Sequence, residues 1–134
     1  MNLALIYNSD IRNNGTPVYF WHAFEALRQA GQLDFKRYRP NGKLPEHDFY
    51  LCIDDGRDDI PWLPPHLCGY YATDTHLGWD YRRRKAEHFD IIWCAQKPAA
   101  ERMQADGLNA HWLPLGCNVT AHPTARELAL RLSV

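Results

Sequence analysis

Short apolar runs alternate along the chain with stretches whose apolar positions recur every three to four residues. That alternation predicts an α/β domain: a doubly wound, mostly parallel Rossmann-like sheet of five or six strands with helices on both faces. Leu3 to Tyr7 reads as a buried first strand, and the polar stretch Asn8 to Gly15 as the loop after it. From about Pro17 to Ala30 the spacing predicts a helix with Phe20, Ala23, Phe24 and Leu27 on one face, closed by Gly31. Leu33 to Arg39 alternates apolar and polar residues, as a strand near an edge does. Phe49 to Ile53 is a third, buried strand that runs into Asp54-Asp55-Gly56. Three prolines crowd the stretch up to Pro65, too many for a long helix. Tyr70 to Thr73 predicts a fourth strand, Asp80 to His88 a short polar helix and Phe89 to Ala95 a fifth strand. Pro98 opens a helix that Gly107 closes, and Ala110 to Leu113 supplies a sixth strand. Thr124-x-x-Glu127 is a capping box, with Ala125, Leu128 and Leu132 on one face of the helix it starts.

At 134 residues, 46% of them apolar and 13% aromatic, the chain has the length and composition of one globular domain, residues 1–134. Its net charge of -1 argues against a nucleic-acid binder that works by phosphate neutralisation. Met1 to Tyr7 lacks the leading charge of a signal peptide, and no apolar stretch nears membrane-spanning length. The expectation is a soluble, cytoplasmic protein. Cys52, Cys68, Cys94 and Cys117 contain no C-x-x-C pair and read as reduced thiols. His66-Leu67-Cys68 is the tightest histidine and cysteine cluster, but its spacing is not that of a zinc site, so neither metal nor cofactor is expected.

Ligands of open α/β sheets bind outside the carboxyl ends of the strands, so the polar residues there carry the candidate chemistry. After strand one, Asn14, Gly15 and Thr16 lead into a helix amino terminus, where backbone N–H groups and the helix dipole favour an anion; the plainer reading makes Thr16 an N-cap. After strand three, Asp54 and Asp55 can take a cation or a proton, although Asp-Gly is also ordinary turn chemistry. After strand four, Thr73 precedes Asp74 and His76, an acid and an imidazole that can act as general base and partner, or bind sugar hydroxyls. Gln96 and Lys97 follow strand five. Arg82-Arg83-Arg84-Lys85 reads as a solvated helix surface, because consecutive residues point around a helix. Tyr19, Phe20 and Trp21 read as core.

From Tyr70 onward the sequence resembles a known family. The run Tyr71-Ala72-Thr73-Asp74-Thr75-His76, then Ala86, Phe89-Asp90 and Ala95-Gln96-Lys97, is similar to spore-maturation-type glycosyltransferases of the GT-B fold. Trp112-Leu113-Pro114-Leu115, with Cys117 and His122, continues the match, over roughly fifty residues. The family's pattern would place an Asp where this chain has Asn118. The resemblance implies the amino-terminal, acceptor-side domain of such an enzyme, with Asp74 and His76 lining the cleft and Gly15 near the donor phosphates. It further implies that nucleotide-sugar and acceptor are handled only with a second domain that carries most nucleotide contacts. A homodimer or partner chain fits that need. The competing expectations are a non-enzymatic carbohydrate-binding or interaction module, favoured by an exposed apolar patch at the carboxyl edge of the sheet, and a receiver-like signalling domain. The receiver pattern would use Asp10, Asp54, Thr73 and Lys97-Pro98, and would require a full helix between strands three and four.

Overall fold

The computed structural model describes residues 1–8, 15–64 and 67–116. Six parallel strands form one sheet in the order β2-β1-β3-β4-β5-β6. In chain order the elements are β1 (Asn2–Ile6), α1 (Thr16–Gln29), β2 (Asp34–Tyr38), β3 (Phe49–Ile53), β4 (Cys68–Ala72), α2 (Trp79–Ala86), β5 (Ile91–Cys94), α3 (Lys97–Ala105) and β6 (Ala110–Trp112). A single 3-10 turn, Thr75–Leu77, precedes α2. The expected doubly wound sheet is therefore present, with six strands and helices on both faces. The helix expected from Thr124 lies outside the described residues, as do Cys117 and His122.

Side chains of the central strands alternate between two cores, as the pleat requires. Ala4, Ile6, Tyr50, Cys52, Tyr70 and Ala72 face α2 and α3, joined by Ala86, Phe89, Ala100 and Met103. Leu3, Leu5, Tyr7, Leu51, Ile53 and Tyr71 face the other way, towards Phe20 and Phe24 of α1. Both faces are covered, which is why these strands read as continuous apolar runs. Carboxylates secure the amino ends of two strands: Asp48 accepts the Asn2 N–H at 2.7 Å, and Asp90 accepts the Cys68 N–H at 2.8 Å.

Several local expectations need correction. Thr16 is the first residue of α1 and Gly15 is its cap, at φ 101°, a conformation that suits glycine; no side chain caps the helix. The α1 seam is narrower than its periodicity suggests. Phe20 packs edge-on to Tyr71 at 4.7 Å and Phe24 against Phe35 at 5.8 Å, while Ala23, Leu27 and Trp21 are exposed. β4 begins two residues earlier than expected, at Cys68, where its pairing with Tyr50 of β3 starts; the Trp93 ring lies across Gly69. A Cβ on Gly69 would stand 2.5 Å from Trp93 Cζ3.

The largest correction concerns the basic run. Arg82 and Lys85 are only 4% and 2% exposed, although Arg84 is exposed and Arg83 pairs at the surface with Glu87 and Asp106. Arg82, Lys85, Ala86 and Phe89 stand at helical spacing on the face that meets the sheet. Arg82 forms an ion pair with Asp54. The Lys85 ammonium donates to the Arg57 carbonyl at 3.1 Å and sits 5.5 Å from the Tyr70 ring centre.

Candidate functional site

The strand order turns outward in both directions between β1 and β3, so the crevice at their carboxyl ends is the topological switch point of the sheet. Asp55 bridges it. One carboxylate oxygen accepts the Asn8 N–H at 2.8 Å and the other accepts the Arg57 N–H at 3.2 Å. Gly15 and Thr16 stand at the start of α1 beyond the β1 loop, and Asn14 lies outside the described residues. Among the described residues of that crevice the Asp55 carboxylate places a negative charge that opposes a diphosphate.

Asp54 is committed inside the protein. Its oxygens accept the Gly56 N–H at 3.0 Å, the Thr73 N–H at 3.1 Å and Arg82 Nε. It is fully buried, so it cannot meet a cation or substrate without losing these donors. The bonds do hold the carboxyl end of β4 in place. The same burial removes the Asp54 carboxylate from the reach of a phosphodonor, and the stretch from β3 to β4 contains no helix among its described residues. Both features count against the receiver-like arrangement.

Beyond Thr73 the chain makes a tight turn that displays Asp74 and His76. Thr73 and Thr75 are buried, and the Thr75 hydroxyl donates to Gln96 Oε1 at 3.2 Å. Asp74 between them adopts φ 45°, the only non-glycine residue with positive φ among those described. Its carbonyl accepts the Leu77 N–H at 2.8 Å. The side chains of Asp74 and His76 are exposed and make no hydrogen bond among the described residues. A strained turn held from below, with an acid and an imidazole left free above, fits a site better than it fits a turn serving its own stability.

Gln96 and Lys97 stand beside this turn at the end of β5. The Gln96 carbonyl accepts the first N–H groups of α3, from Ala99 and Ala100, and its side chain meets Thr75. The Lys97 ammonium lies 3.8 Å from Glu101 and 5.9 Å from the Trp112 ring centre. The Trp112 indole donates to the Ala95 carbonyl at 3.3 Å, and the Tyr71 hydroxyl donates to the Leu113 carbonyl at 2.8 Å. Leu77, Trp112, Leu113 and Leu115 are all exposed apolar residues in segments that follow β4 or end β6.

The predicted residues thus divide in two. Thr73, Asp74, His76, Gln96 and Lys97 come together along the carboxyl ends of β4 and β5. Gly15, Thr16 and Asp55 belong to the switch point, and Asp54 supports both regions from the interior. Among the described residues no group of three or more histidine, cysteine or acidic side chains is placed to hold a metal ion. Arg82 was missed as a supporting residue. The signal lay in its position four residues before Ala86 and seven before Phe89, on the apolar face of α2.

Comparison of the chain with protein-family models, curated proteins and solved structures found no match in any of the three.

Proposed function

We propose that this domain is the acceptor-side half of a sugar-nucleotide glycosyl-transfer site. The observation that carries the reading is the turn at the end of β4, where Asp74 and His76 are held by the sheet with their side chains unengaged. A neutral imidazole at position 76 can take the proton of an acceptor hydroxyl as that oxygen attacks, and Asp74 can orient either group. Positions fixed by a sheet edge hold such groups more accurately than a long loop. The motif resemblance from Tyr71 to Leu115 supports the same assignment. The negative switch point agrees with a donor held mainly by a second domain.

The decisive test is release of nucleoside diphosphate from uridine, guanosine and thymidine diphosphate sugars, by the chain together with the polypeptide that supplies its second half. His76→Ala is expected to reduce release by roughly a hundredfold or more, within the usual contribution of a general base. Unchanged release by both His76→Ala and Asp74→Asn would sink the reading.

A second reading follows from Leu77, which is 74% exposed, and from Trp112, Leu113 and Leu115. Exposed apolar residues after β4 and at the end of β6 suit a protein-docking surface. In that reading the domain recruits rather than transfers, and Leu77→Asp would abolish association without touching any sugar chemistry.

A further inference from the structure

We infer that the cleft between the turn after β2 and the proline-flanked loop after β3 is a saccharide-binding subsite, with the Trp62 indole as its platform. The cleft has a volume of about 520 Å³ and is lined by Pro40, Asn41, Gly42, Lys43, Ile60 and Trp62. Trp62 is 61% exposed and Ile60 46%, while Pro61 between them is buried. Two large apolar side chains turned outward around a buried proline form a wall, unlike a single exposed residue. Pro61 and Pro64 fix the backbone on either side of the indole, so a ligand that settles on it costs little ordering of the loop.

The opposite side of the cleft is polar. Asn41 offers an amide donor and acceptor, and Lys43 offers donors only. A pyranose ring matches both sides. Its C–H face meets the negative face of the indole, and its hydroxyls, each donor and acceptor, meet the amide and the ammonium. A nucleotide fits less well, because Lys43 is the only cation among the described lining residues to answer its phosphate. The cleft is formed by the segments that leave the carboxyl ends of β2 and β3, and Asp74 follows the carboxyl end of β4. From β2 to β4 there are three strand spacings of about 4.8 Å, about 14 Å in all. A saccharide that spans strand spacings of this size is longer than one ring. Its role as an outer acceptor subsite rests on the transfer reading above, whereas the stacking chemistry does not.

Nitrogen-15 NMR of the chain, titrated separately with cellotriose, chitotriose, maltotriose and uridine monophosphate, tests the assignment. The Trp62 indole signal is identified by its loss in Trp62→Ala. At least one trisaccharide is expected to move that signal and the amides of Asn41 and Lys43 saturably. Trp62→Ala should weaken binding roughly tenfold or more, Trp62→Phe should retain most of it, and Arg84→Ala, at an exposed position of α2, should leave it unchanged. The subsite is overturned if no trisaccharide moves the indole signal, if Trp62→Ala binds as tightly as the unaltered chain, or if uridine monophosphate binds there more tightly than every saccharide. Shifts confined to residues 73–77 would keep the transfer edge and reject the subsite. Shifts at Trp62 with none at 73–77 would keep the subsite and reject its connection to transfer.

Discussion

At Asp74 the proposed function can be separated from stability. Positive φ costs an L-residue about 1–2 kcal/mol, less for Asp than for most, and glycine avoids the cost. Asp74→Gly is therefore expected to unfold in urea at the same or a slightly higher midpoint, while losing transfer. A clear drop in midpoint would show that the carboxylate has a structural partner. Arg82 stands at the other extreme, because its loss leaves the buried Asp54 carboxylate uncompensated. Arg82→Ala should cost about 3–5 kcal/mol in urea unfolding. The thiols add a pH dependence. Burial pushes Cys52 up to about 12, and Cys68 and Cys94 to about 11, from an ordinary value of 9.0. These folded-state values are raised, so their stabilising effect is complete below about pH 9 and is lost as pH climbs from there through about 12. Urea midpoints are expected to fall across that window, and less steeply in Cys52→Ala. An equally steep decline in that variant would assign the loss to other groups, the raised Tyr71 phenol among them.

At the scale of elements, β4 and β5 pack through a contact that only glycine permits. Gly69→Ala would push a methyl into Trp93 Cζ3 and Phe49 Cζ, with separations of 2.5 and 2.9 Å. Overpacking of this kind costs about 1–3 kcal/mol, and the near-ultraviolet spectrum of Trp93 should change with it. Unchanged stability would mean that the indole swings aside freely. The strands themselves were legible because a sheet covered on both faces makes each one an apolar run, as in Leu3 to Tyr7 and Phe49 to Ile53. The carboxyl end of β4 was legible too, since polar residues directly after a buried strand must stand at its end. Arg82 and Lys85 were not. Charge suggested solvent, while the face they share with Ala86 and Phe89 decided otherwise, and an ion pair to Asp54 can be recognised only once the strands are arranged. Trp62 escaped attention for a related reason: its surroundings come from the segment after β2, remote in sequence.

For the molecule as a whole, two edges of chemistry share one side of the sheet, a negative switch point and a free acid–imidazole turn. The isolated chain is expected to bind uridine, guanosine and thymidine diphosphate sugars weakly in calorimetry, because Asp55 opposes a diphosphate at the switch point. Low-micromolar binding to any of them would place the donor site within this domain. Among the described residues no helix is long and apolar enough to cross a membrane. The strand order has one further consequence, for how the protein is made. β1 precedes both of its partners in the chain yet lies inside the sheet, where Leu3 pairs with Phe35 on one side and Phe49 on the other. Neither neighbour exists when β1 leaves the ribosome, so an apolar strand waits first for β2 and then for β3 to close its two hydrogen-bonding edges. Pairings this distant in sequence slow folding and prolong exposure to aggregation. The interval between translating residue 7 and residue 53 is thus the period in which a nascent chain has most need of a chaperone.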